Sequence, residues 1–136
     1  MREQQLFYTQ ACLIAFVGAV HIIALDQYLY WRFPWLDLFV HFFAALWIAL
    51  FAVWFCVVTT RGRAFGKILA VVILAGIGWE LFEIWGGIPR EANFAFDTAL
   101  DLTMDTLGGI SGFFLASRML ARDTIVPHGT DKNDPS

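Results

Sequence analysis

At 136 residues, 59% hydrophobic and 17% aromatic with only 15% charged, the chain carries more apolar surface than a soluble domain of its size can hide. Its mean hydropathy of +0.64 points to a bilayer as solvent, and the lipid bilayer is its first expected partner. A formal net charge of -3 argues against nucleic acid, and the chain lacks a phosphate-binding glycine loop, an HExxH zinc motif and a nucleophile elbow.

Four apolar stretches follow one another, Leu6 to Leu25, Leu36 to Val58, Ile68 to Trp85 and Phe96 to Leu120. Each approaches the ~20 residues that cross a bilayer core as a helix. The expected fold is therefore an all-α integral membrane protein, a bundle of four transmembrane helices in one domain over residues 1–122. The first stretch follows a single basic residue, Arg2, and runs into an aromatic segment without a small-residue cleavage site, so it is expected to be retained. Asp26 to Asp37 reads DQYLYWRFPWLD, rich in the Tyr and Trp that settle at headgroup level.

The second span opens with Asp37 and His41, four residues apart and so on one helical face. The connection after it holds Arg61, Arg63 and Lys67. The third span contains Gly76, Gly78, Glu80 and Glu83 and ends at Gly86, Gly87 and Pro89, residues that stop a helix and permit a turn, ahead of Arg90 and Glu91. The fourth carries Asp97, Asp101 and Asp105 at every fourth residue, and below them Gly108, Gly112 and Ala116 in a small-xxx-small pattern suited to close helix packing. Asp97, in the first turn, reads as a helix cap and dipole partner. Residues 123–136 are polar enough to predict a disordered tail.

Arg2, Arg61, Arg63, Lys67, Arg118, Arg122 and Lys132 fall on one side of the four spans, and only Arg32 and Arg90 on the other. By the positive-inside bias both termini face the cytoplasm. Cys12 and Cys56 then lie toward the cytoplasmic ends of their helices and are expected to remain free thiols without a ligand role.

Ionisable groups inside membrane helices are costly and are by default candidates for function. Counting ~1.5 Å per residue, His41, Glu80 and Asp101 share one level, roughly 7 to 8 Å below the outer boundary. His21 lies on the same side and reads as a hydrogen-bonded interhelical histidine. The outer half contains Asp26, Asp37, Glu80, Glu83, Glu91, Asp97, Asp101 and Asp105 against Arg32 and Arg90, which leaves six carboxylates without a basic partner. Such acids must be wet, protonated or bound to a cation. A divalent metal ion is the expected cofactor, with His41, Glu80, Glu83, Asp101 and Asp105 as ligands. Oxygen donors favour Mg, Mn or Ca, and an imidazole moves the choice toward Zn or Fe. The bland alternative is a set of protonated acids hydrogen-bonded between helices.

The succession LDLFVH, GWELFE and FDTALDLTMDTLGGISG, with Asp37, His41, Trp79, Glu80, Glu83, Asp97, Asp101 and Gly108, resembles the YjdF family of bacterial inner-membrane proteins and, more distantly, VanZ-like proteins. It covers Leu36 to Leu115, and Asp105 departs from the neutral polar residue expected in VanZ-like chains. The resemblance implies a multi-pass inner-membrane location and this residue set, and no reaction.

Three function classes follow. In the first, a membrane metalloprotein or enzyme, Glu80 and Asp101 are the catalytic candidates and Arg90 holds an anionic headgroup of a polar or lipid-linked substrate. In the second, a proton or cation transport component, the single unit would assemble as a homo-oligomer, because no ionisable residue continues the path below Asp105. In the third, the cluster only fixes the fold of a non-catalytic membrane protein.

Overall fold

The structure, a computed structural model, describes residues 2–87 and 93–121. The chain runs α1 (Arg2–Asp26), α2 (Leu29–Arg32), α3 (Trp35–Val58), α4 (Phe65–Gly86) and α5 (Phe94–Ala121), all helical. Arg90 and Glu91, and the tail expected beyond residue 122, lie outside the described residues.

Three helices, Glu3–Asp26, Trp35–Val58 and Phe65–Gly86, are long and apolar enough to cross a membrane. The fourth expected span, α5, is the longest helix at 28 residues but does not join them, because Asp97, Asp101, Asp105 and its Gly, Ser and Thr residues lower its hydropathy. The distribution of burial nevertheless follows the logic of a membrane protein. Trp85 is 85% exposed, Ile22 68% and Leu74 67%, whereas His41, Glu80, Asp101 and Asp105 are each 6% exposed or less. Apolar side chains outside and acids inside invert the arrangement of a soluble bundle.

Helix α3 is central and packs against α1, α4 and α5; α5 lies most extensively along α3 and also meets α4. Glycine allows that approach. A Cβ on Gly112 would stand 2.5 Å from the Leu46 carbonyl oxygen and 2.8 Å from the Ala49 Cβ, and one on Gly108 would overlap the Phe42 carbonyl oxygen. Gly109 instead faces Val72 of α4, and Gly76 of α4 leaves the room that the Asp105 carboxylate fills. Gly78, expected to help form that close surface, meets nothing within 4 Å. The apolar core sits below, built from Leu6, Ala49, Leu50, Val53, Ile68, Val72 and Ala116.

Helix ends follow local chemistry. At the end of α3, Thr60 takes a left-handed φ of 53°. The Arg61 and Thr60 amides then donate to the Cys56 and Val57 carbonyls at 2.8 and 3.2 Å, a Schellman closure with threonine where glycine is usual. Gly87, at φ 63°, closes α4 in the same left-handed conformation. Asn93, not Asp97, precedes α5: its carbonyl accepts from the amides of Phe96 and Asp97, both at 3.1 Å. That leaves Asp97 inside the first turn, where its charge complements the helix dipole.

Candidate cation site

The polar cluster lies toward the end of the bundle that carries α2. Helix α3 supplies Asp37 and His41 one turn apart, and α5 supplies Asp101 and Asp105 one turn apart. The close glycine-mediated packing of α3 on α5 brings these two pairs together. One ligand atom from each of Asp37, His41 and Asp101 lies within 4.8 Å of the others. His41 Nδ1 and Asp105 Oδ1 are 3.2 Å apart, a buried pair that joins residues 64 positions apart in the chain.

Each acid has a distinct environment. Asp101 is 3% exposed, and its Oδ1 is buried with no hydrogen-bond partner. Asp105 uses Oδ1 for His41 and leaves Oδ2 buried without a partner. Glu80 Oε2 accepts a 2.7 Å hydrogen bond from the Thr98 hydroxyl. Glu83 is half-buried at the periphery, where Trp79 Nε1 donates to it at 2.9 Å.

A second histidine pair borders the site. The Tyr30 hydroxyl of α2 stands 2.6 Å from His21 Nδ1 of α1. Burial, with the charges of Asp37 and Glu83 behind it, pushes the Tyr30 hydroxyl up from its ordinary pKa, so it keeps its proton and donates to His21. That donation leaves the proton of a neutral imidazole on Nε2. The His21 ring also meets the edge of Trp79 at 5.9 Å between centroids.

The residues named from the sequence therefore divide. His41, Asp101 and Asp105 converge on one buried spot, Glu80 lies beside it with Thr98, and Glu83 stands at the rim with Trp79. Asp37, placed by the sequence on the His41 face but not among the expected ligands, enters the tight group. Thr98 and Tyr30, the hydrogen-bond donors to Glu80 and His21, carried no sequence signal, because they act only through contacts made between helices.

Next to this cluster a cavity of about 380 Å³ opens between α1, α3 and α4, lined by Val17, Gly18, His21, His41, Gly76 and Asp105 among others. It lies where the backbones of α1 and α4 do not pack closely on each other, although His21 and Trp79 touch through their rings. Its lining is mostly aliphatic.

A search of curated proteins and of solved structures finds nothing that matches the chain. Residues 2–122 match the family described as predicted membrane protein (DUF2238). With nearly its whole helical part matched, the chain belongs to this DUF2238 family of membrane proteins, which is the YjdF family that its spaced motifs resemble.

Proposed function

We propose that the protein is a four-span inner-membrane protein whose α2 end faces outward and binds a divalent metal ion through Asp37, His41 and Asp101, beside a polar or lipid-linked substrate. The observation that carries the reading is the convergence of three ligand atoms within 4.8 Å, together with the unpartnered, buried Oδ1 of Asp101. An ion equidistant from three atoms at that limit would lie about 2.8 Å from each, so a small inward shift of the side chains brings them to the ~2.0–2.6 Å range of divalent ions with oxygen and nitrogen ligands. Two carboxylates and an imidazole suit a borderline ion such as Zn, Mn or Fe.

Asp105, expected from the sequence to be a ligand, takes a positioning role in this reading. With Nδ1 of His41 committed to Asp105, Nε2 is the nitrogen left for the ion, the arrangement by which carboxylates orient metal-bound histidines. In this reading Asp101 would hold the ion, which would supply Lewis-acid chemistry, Glu80 would serve as general base, and Arg90 would receive an anionic headgroup.

Elemental analysis of detergent-purified protein tests the reading. Wild type should retain a divalent metal that Asp37→Ala and Asp101→Ala both lose; equal metal content in all three would overturn it. For the orientation, a protease site appended to the carboxyl terminus should be protected in intact cells and cut in inverted vesicles, and the reverse pattern refutes cytoplasmic termini.

A further inference from the structure

The end of the bundle away from the cation site carries the opposite charge. Among the described residues Arg2, Arg61, Arg63, Lys67 and Arg118 stand there with Glu3 as the one acid, whereas every other described acid lies toward the α2 end. Between the α3–α4 connection and the last turns of α5 a second cavity of about 260 Å³ opens, lined by Arg63, Phe113, Ser117, Leu120 and Ala121. Phe65, the first residue of α4, backs its aromatic wall by meeting Phe113 at 5.1 Å between ring centroids. Two polar groups on the lining are uncommitted. The hydroxyls of Thr59, Thr103 and Thr106 each donate back to the carbonyl four residues earlier, but the half-buried Ser117 makes no such bond. Among the described residues the exposed Arg63 guanidinium has neither an acid nor a hydrogen-bond acceptor as partner. Arg118, in the last turn of α5, already sets a positive charge against the carbonyl end of that helix, which leaves Arg63 free for another anion.

We propose that this cavity binds the headgroup of one anionic phospholipid, the Arg63 guanidinium pairing with the phosphate oxygens and the Ser117 hydroxyl donating to one of them. The proposal is independent of the metal assignment, which concerns the other end of the bundle. Charge and position select the occupant. Arg63 and Ser117 both present donors, and the excess of bases around them favours an anion and disfavours a head that also carries a cation. Phe65 and Phe114 are 39% and 56% exposed, so the apolar lipid-facing surface ends beside the cavity where the basic connection begins, the level at which headgroups lie. The volume is below the ~300 Å³ at which drug-sized sites begin, which suits a headgroup in the cavity with its acyl chains left in the bilayer along Phe114 and Leu115.

The test is native mass spectrometry of the full chain in detergent, with dioleoylphosphatidylglycerol and dioleoylphosphatidylcholine supplied in equal amounts. Both lipids carry a phosphodiester, but only the first is a net anion. One phosphatidylglycerol adduct should be retained in preference. Arg63→Gln should cut its retention about tenfold, equivalent to ~1.4 kcal/mol of binding, and Ser117→Ala should cut it by less. Arg61→Gln, at a base that is not on the lining, should leave it unchanged. Should Arg63→Gln fold poorly, Ser117→Leu fills the cavity and gives the same readout. Equal retention of the two lipids overturns the proposal, and so does an equal loss in Arg63→Gln and Arg61→Gln, which reports diffuse surface charge only. Glycerol phosphate supplied at the lipid concentration should not displace the adduct; displacement overturns the lipid assignment in favour of a soluble anion. An adduct that forms only after residues 123–136 are removed overturns it in favour of the chain's own tail.

Discussion

The two ends of the bundle use the same pair of helices for opposite purposes. From Gly108 downward, where α3 and α5 meet, the buried groups are Ala45, Ala49, Gly112 and Ala116, and the contact is close and made by small residues. One and two turns above, the same two helices present His41, Asp101 and Asp105 to each other, with one hydrogen bond between them and two buried carboxylate oxygens unmatched. Packing in a membrane cannot draw on the hydrophobic effect between helices, so van der Waals contact in the small-residue half must hold the pair together. The polar half then tolerates an arrangement that would not form by itself. The small-residue half is the anchor, and the acid half is held in place by it.

The largest effect should come from the anchor. Gly108→Leu places a side chain against the Phe42 carbonyl, and Gly112→Leu places one against Leu46 and Ala49. A backbone carbonyl cannot move aside like the end of a flexible chain, so each change should cost about 3 kcal/mol or more and leave little monodisperse protein after detergent extraction. Gly78→Ala is the control. Its Cβ meets nothing, so it should be neutral or gain up to ~1 kcal/mol from helix propensity. If Gly108→Leu melts at the wild-type temperature, the anchor is misplaced.

The acid half should respond in the opposite direction. Asp101→Leu removes a buried carboxylate with an unmatched oxygen and puts an apolar side chain between helices. In metal-free detergent it should gain roughly 1–3 kcal/mol, the usual outcome when a functional polar group is replaced in a buried site. His41→Leu, by contrast, leaves Asp105 Oδ1 without its partner and should lose roughly 1–3 kcal/mol, and the double change His41→Leu with Asp105→Leu should recover most of that. Thermal unfolding of the three variants reads the signs directly. A fall in stability for Asp101→Leu would mean that the carboxyl serves as interhelical glue.

Much of this contrast is written along the chain. The repeat of Asp97, Asp101 and Asp105 running into Gly108 and Gly112 places acids above small residues on one face of one helix, and Asp37 with His41 puts a second polar pair at the matching end of another. Helical period carries that information because it depends on neighbours three and four apart. The pairing of His41 with Asp105 rather than with a residue at its own counted level is not legible, since a count of ~1.5 Å per residue ignores how two helices tilt and slide at contact. Helix α2 was also hidden, because four residues, Leu29 to Arg32, are too few to show a period. Phe96 to Leu120 has the length of a span and many apolar residues, and its acids are what set α5 apart from the other three long helices.

The smallest effect belongs to the connection beneath the anchor. Thr60 holds φ 53°, a conformation that costs an L-residue roughly 1–2 kcal/mol and a β-branched one at least as much. Two hydrogen bonds, from Thr60 to Val57 and from Arg61 to Cys56, depend on it. Thr60→Gly relieves the strain and keeps both bonds, and against that gain stands the ~0.4–1 kcal/mol of extra unfolded-state freedom that glycine brings. The balance is a stabilisation of about 0.5–1 kcal/mol, visible as a modest rise in melting temperature. Gly87→Ala should move the opposite way by about 1 kcal/mol, because the same left-handed conformation closes α4 with a residue that adopts it freely. If the acid half is held by the anchor and not by its connections, neither change should alter metal content. A loss of metal in Thr60→Gly would show that the strained turn, far from the carboxylates along α3, sets the register of the site.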